Sequence, residues 1–261
     1  MEKTRSSVVS SFTIVKGSLI DETYAVFRDW DFEKSRKENL RRAREGNTMG
    51  ATSTNWARDV AWAISRRFDP AGRDRALVDL AKAECKREVW KPILLFHLTR
   101  DEFLVRDFLV NWLYPQYTQG AYRLHTHDVQ NYLALLGKKK GIEWSGKWTG
   151  TTLSRVASGL LRIATDFGIL TGRVHKEFAS YQLPEKSFIY LLHAMAEVKP
   201  NAGGIIDAED WHMFLMDGAD VERELLRLHQ FRKVHYEVAG SLAQLVLPHG
   251  SSADFAREFY T

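Results

Sequence analysis

The side chains best suited to chemistry in this chain are cations and hydroxyls gathered along one stretch. Thr151, Thr152, Ser154 and Arg155 would open a helix spanning about 149–167, and Arg162 lies two turns further along the same face. Side chains of these types near the start of a helix can reach phosphates and base edges when that helix enters a DNA major groove. Lys138, Lys139, Lys140 and Lys147 precede the helix, and Arg173 and Lys176 follow it. Such flanking cations would hold the sugar–phosphate backbone and set position, without reading sequence. The small residues Ser158 and Gly159 would permit a close approach. The competing readings of the same residues are a solvated helix face or a surface for docking a protein.

Catalytic patterns are weak by comparison. His125, His127 and Asp128 resemble a metal-ligand cluster, but no cysteine or HExxH partner accompanies them, so a polar entrance to a helix is the expectation. Glu88 and Lys91 have the spacing of a nuclease pair, yet the local periodicity is helical where that chemistry needs strands. No phosphate loop of the GxxxxGK[ST] type, GxGxxG turn or GxSxG elbow occurs. The lone Cys85 reads as a buried, inert thiol. No catalytic residue, cofactor or metal is expected, and the chain reads as a binding protein.

The chain has 261 residues and a net charge of only +4, so the placement of charge says more than its sum. Residues 34–67 hold nine basic side chains against Glu38, Glu45 and Asp59, a local +6. Residues 138–176 hold eight against Glu143 and Asp166, again +6, whereas residues 177–261 carry thirteen acidic and seven basic groups, a local −6. Separated charge of this kind creates surfaces that attract polyanions. Arg41, Arg42, Arg66 and Arg67 are therefore a second candidate set of phosphate contacts. Arg41, Arg42 and Arg44 cannot all share one helical face, so some of them must serve other ends. A hydrophobic content of 44% suits a soluble globular chain, a single cysteine suits a reducing cytoplasm, and no apolar run approaches a membrane span.

The elements that must position these residues are mostly helices. Apolar spacing predicts helices over 19–30, 34–45, 55–68, 73–84, 87–98 and 101–114, closing a helical N-terminal domain, residues 1–118, whose first 11 residues are expected to fray. A second domain, residues 119–248, has helices over 127–136, 149–167, 185–198, 207–216 and 219–231. A short strand or wing is predicted within 173–183, and a β-hairpin over 234–247 turning at Ala239, Gly240 and Ser241. Helix followed by hairpin is the closing half of a winged helix, and the order occurs twice. The first copy sits in basic sequence; the second carries Asp220, Glu222 and Glu224, which favour protein docking or core packing over phosphate. Residues 249–261 read as a tail. The fold class is mainly α, with two helical regions and small β-hairpin wings in the C-terminal half.

The chain also resembles a known family. Lys16-Gly17-Ser18-Leu19-Ile20, Glu22-Thr23, Trp30-Asp31 and Asn39-Leu40 are similar to the opening of BrxA, the small helical component of bacteriophage-exclusion (BREX) systems. Val89-Trp90-Lys91-Pro92, Asp107-Phe108-Leu109, Leu113-Tyr114-Pro115 and Asp166-Phe167-Gly168-Ile169-Leu170 continue the likeness in order. Trp211-His212-Met213-Phe214-Leu215, Val221-Glu222, Tyr236 to Ser241 and Leu247-Pro248 complete it. The resemblance implies a predominantly helical fold, once compared with an RNA-binding antitermination factor, and DNA binding without catalysis. It implies partners too: a DNA methyltransferase, an ATPase and a phosphatase-like protein. It supplies no catalytic motif to carry over. The expectation is a non-enzymatic, cytoplasmic component of a phage-defence assembly that binds duplex DNA largely through phosphates. The alternatives are a protein scaffold with incidental nucleic-acid affinity, or an RNA-binding factor.

Overall fold

Helices dominate because apolar residues recur at three- and four-residue spacing and polar caps punctuate them. The computed structural model describes residues 8–138, 142–144, 148–240 and 242–258. It opens with β1 (Val8–Val9), then α1 (Phe12–Lys16), α2 (Ile20–Arg28), α3 (Arg36–Glu45), α4 (Thr54–Arg67), α5 (Arg75–Lys82) and α6 (Arg87–Asp101). The hydroxyls of Ser35 and Ser53 each accept a backbone N–H at 3.2 Å, from Glu38 and Trp56, and so start α3 and α4. Pro92 sits inside α6, and the helix runs on through it to Asp101. After α7 (Phe103–Asp107) the backbone widens into a π turn at Phe108–Leu113 before α8 (Tyr114–Thr118).

The second half contributes α9 (Thr126–Leu136), β2 (Glu143–Trp144), α10 (Gly150–Asp166), β3 (Leu170–Thr171) and β4 (Glu177–Phe178). It continues with α11 (Glu185–Ala196), α12 (Ala202–Ile206), a 3-10 turn at Glu209–Phe214, α13 (Gly218–Gln230), β5 (His235–Ala239), β6 (Leu242–Val246) and α14 (Ser252–Glu258). The mainly helical class with small hairpins is what the structure shows. β3 and β4 pair antiparallel, as do β5 and β6, with Ala239 opposite Leu242 across the tight turn.

Two expectations change. Residues 8 and 9 do not fray: β1 pairs parallel with β2, Val9 opposite Trp144, because Val9 is an apolar residue with a buried place to go. The expected tail instead includes α14, which packs on α5 and α11 and buries Phe255 and Ala256. One cluster of buried apolar side chains draws members from Val9 to Ala256, including residues on both sides of 118–119.

Two buried polar networks brace the helices, one within the N-terminal half and one joining the two halves. Arg67, fully buried in α4, donates to the carbonyls of Thr13, Gly17 and Ser18 at 2.8–3.2 Å and lies 3.5 Å from the Glu102 carboxylate. Glu102 in turn accepts from the Thr13 hydroxyl at 2.7 Å, so α1 is clamped from both sides. Elsewhere, His97 of α6 bridges Asp74 at 2.6 Å and the Tyr190 hydroxyl of α11 at 2.7 Å. Burial holds the His97 imidazole below its ordinary pKa. Buried groups paired in this way fix one arrangement of the helices, although Arg67 Nε, 3.5 Å from Glu102, makes no hydrogen bond of its own among the described residues.

Candidate nucleic-acid interface

The unit that carries most of the candidate residues is built from α9, α10 and the β3–β4 hairpin. Asp128 accepts the backbone N–H of His125 at 2.9 Å and closes a capping box at the start of α9, the polar-entrance role expected of this trio. Thr149 caps α10 by accepting the N–H of Thr152 at 3.2 Å. Val156, Ala157, Leu160, Leu161 and Ala164 are buried, as are Val129, Leu133 and Leu136 of α9, and the two helices pack on one another. Gly168, at φ 81, ends α10 and turns the chain into β3. Leu124 then pairs with Lys176 as a third, antiparallel position beside β4.

The tip of this hairpin requires glycine at 172. Its φ is 93, and a Cβ there would stand 2.1 Å from the His175 carbonyl oxygen. The tight turn that results pushes Arg173, Val174 and His175 into solvent, Val174 to 81% exposure. Lys176 is half-buried and folds back, donating from Nζ to the Gly172 carbonyl at 2.6 Å.

Along α10 the exposed positions are Thr151, Arg155, Ser158 and Arg162, a 4-3-4 spacing that makes one continuous stripe. Arg162 lies 3.9 Å from Asp166, a loose approach, and Arg155 makes no ion pair among the described residues. Thr152 is half-buried and its hydroxyl sits 3.0 Å from that of Thr149, so it helps build the cap rather than the open stripe. Lys138 is exposed beyond the end of α9. Lys139, Lys140 and Lys147 lie outside the described residues.

Gly159 does not face a ligand. A Cβ on it would meet the side chain and carbonyl oxygen of Ile14 at 3.0 Å, so the close approach it permits is that of α1 against α10. The N-terminal candidates part company in the same way. Arg67 is buried and spent on α1, which removes it from any surface. Arg41 is held between Glu38 at 2.7 Å and Glu45 at 3.3 Å, and Arg42 stands 3.7 Å from Asp31. Arg66 is exposed over the ring of Trp62, 5.5 Å from its centroid.

The second helix–hairpin unit, α13 with β5 and β6, uses its acids internally. Glu222 accepts from the Tyr236 hydroxyl at 2.7 Å, and Glu185 of α11 takes both Arg227, at 2.9 Å, and Lys233. Among the described residues no three His, Cys, Asp or Glu side chains gather as a metal site, and no helix is long and apolar enough to cross a membrane. The exposed aromatic pair Phe12 on α1 and Trp62 on α4 carries no local signal in the sequence.

No curated protein and no solved structure matches this chain. The family model for BrxA matches residues 11–194, which takes in α1 to α10 and the β3–β4 hairpin and stops before α13 and its hairpin. With well over half of its 261 residues matched, the chain belongs to the BrxA family.

Proposed function

We propose that this protein is a duplex-DNA-binding, non-enzymatic component of a BREX phage-defence assembly. The observation that carries the reading is the exposed stripe Thr151, Arg155, Ser158 and Arg162 on α10, whose one ion-pair approach among the described residues is Arg162 to Asp166. Order and pairing also favour it. Helix α9, helix α10 and a hairpin, with Leu124 bonded beside β4, follow the plan of a winged helix, in which the second helix lies in the major groove. Arg173 at the hairpin tip and Lys138 at the opposite end would then sit over flanking phosphates. The unit's contacts are mostly to backbone, so binding is steeply salt-dependent and only weakly sequence-dependent.

The second helix–hairpin unit is assigned to a protein partner of the same assembly: the methyltransferase, the ATPase or the phosphatase-like subunit. Its Leu226, Phe231, Val238 and Val246 are exposed while its acids are tied up, a surface unsuited to phosphate. The test is fluorescence anisotropy with a duplex of about 30 base pairs over a series of salt concentrations. Replacing Arg155 and Arg162 with Ala should weaken binding and flatten the salt slope, whereas replacing Arg223 and Arg227 should do neither. Equal losses from the two pairs would remove the interface from α10, and preferential binding of structured RNA in competition would replace DNA as the ligand.

A further inference from the structure

Of the eight tryptophans, Trp62 is the most exposed, at 44%. It is not isolated. Phe12, the first residue of α1, is 42% exposed, and the two rings meet edge to face with centroids 4.3 Å apart. Large aromatic surface left in water on a chain with an ample core marks a binding surface more often than a packing failure. What surrounds the pair defines what it can bind. Arg66 lies over the Trp62 ring at 5.5 Å and Lys16 over the Phe12 ring at 5.1 Å, while Arg58 is exposed one turn before Trp62. Among the described residues the acid paired with these cations is Asp59, 2.5 Å from Lys16 and 4.0 Å from Arg58, against the three cations Lys16, Arg58 and Arg66.

Position supplies a second, independent observation. The helix that presents Phe12 is wedged between α4 and α10: Ile14 fills the gap at Gly159, and the Ser18 hydroxyl donates at 2.7 Å to Asp166, the residue beside Arg162. α1, which carries Phe12, thus packs both on α4, which carries Trp62, and on α10, which carries the exposed stripe. Arg67 and Glu102 lock α1 from beneath, which fixes the pair in place.

We infer that Phe12 and Trp62 form a stacking platform for unpaired bases, and that the nucleic acid this protein takes is a duplex with a single-stranded segment beside it. Aromatic faces stack on every base without regard to sequence, and cations at their rims take the phosphates between. The cations around the pair favour a nucleic-acid strand over an apolar protein segment, to which Arg58 and Arg66 would offer no partner. The inference rests on duplex binding by α10 for the paired portion of the ligand; the stacking portion stands on its own residues.

The experiment compares a blunt duplex, the same duplex carrying a tail of about eight thymidines, and the oligothymidine alone, by anisotropy and by tryptophan emission. The tailed duplex should bind roughly tenfold more tightly than the blunt one. Trp62→Ala and Phe12→Ala should each abolish that preference while leaving the blunt duplex unchanged, and Trp62→Tyr should retain it. Both side chains are more than half buried, so the Ala variants should melt somewhat below the parent, and melting curves check that each stays folded at the assay temperature. Equal affinity for tailed and blunt duplexes, or a preference that survives Trp62→Ala, overturns the platform and leaves the α10 interface standing. Oligothymidine binding that needs Trp62, with no affinity for blunt duplex, upholds the platform and removes the α10 interface. Loss of a BREX protein partner in Trp62→Ala, with nucleic-acid binding intact, reassigns the pair to protein docking and overturns the inference.

Discussion

The two basic segments of this protein carry the same local charge and put it to different uses. In residues 34–67 five of the nine cations are consumed, leaving Arg58 and Arg66 among the exposed ones: Lys34 and Arg42 face Asp31, Arg36 is 2.7 Å from Asp69, Arg41 is held by Glu38 and Glu45, and Arg67 is buried against backbone carbonyls and Glu102. In residues 138–176 the described cations meet solvent, with Arg155 and Arg173 making no ion pair among the described residues and Arg162 only a loose one. Net charge over a window is therefore a poor guide to a phosphate-binding surface. What matters is how many carboxylates lie within reach of each cation once the chain is folded.

Adjacent residues give the largest test of that contrast. Arg66→Ala removes an exposed cation and should leave stability almost unchanged. Arg67→Met removes a buried one, strands the Glu102 carboxylate and releases three carbonyls that hold α1. Breaking one side of a buried pair costs about 3–5 kcal/mol, read as a lowered denaturation midpoint. Similar midpoints for the two variants would mean that α1 is not held from beneath. Next in size is Gly159→Leu, which drives a side chain into Ile14 and should cost about 1–3 kcal/mol, while Ser158→Ala on the open stripe should be silent.

Much of this was legible in advance, and the misses have physical causes. Most long helices emerged from apolar spacing within a residue or two, as with α10, expected over 149–167 and found at Gly150–Asp166. By contrast, α6 runs three residues past its expected end, and the helix expected over 101–114 is divided into α7, the π turn and α8. The hairpin of β5 and β6 was marked by alternation and by Gly240, whose φ is 63. Arg67 was read as surface because of its charge, yet its spacing from Val60 and Ile64 places it on the buried face of α4, where charge yielded to periodicity. Gly159 was legible as a point of close approach but not as to what approaches, since α1 is only five residues long and distant in sequence. The pairing of Val9 with Trp144 and the docking of α14 are long-range contacts with no local signature.

A buried base sharpens the contrast between spent and available cations through pH. His193 of α11 is buried, and burial, with His249 beside it, pushes its imidazole down to about 4. Glu197 and Asp254 face it and pull in the opposite direction without prevailing. The unfolded chain takes up this proton near pH 6.5 and the folded chain only near 4. Stability should therefore fall as pH drops through that window, because the unfolded state binds the proton first. Denaturation midpoints at pH 7.5 and pH 5 would read this fall, and His193→Gln should shrink it. An undiminished fall in that variant would assign the effect to other groups, His97 first.

The smallest expected effect is the most pointed. If α3 contributed to DNA binding, the double variant Arg41→Ala and Arg42→Ala would lose phosphate contacts, and the salt slope would drop by about 0.9 for each one lost. The structure leads to the opposite expectation. To reach a phosphate, Arg41 must first abandon Glu38 and Glu45, exchanging one set of charge-assisted bonds for another while leaving two carboxylates facing the polyanion. The gain is cancelled by the bonds given up and by the new repulsion. Duplex affinity and salt slope should thus be the same in this variant as in the parent, under conditions where replacing Arg155 and Arg162 lowers both. A slope reduced equally by both double variants would show that DNA strips the carboxylates from α3, and the two basic segments would then form one track.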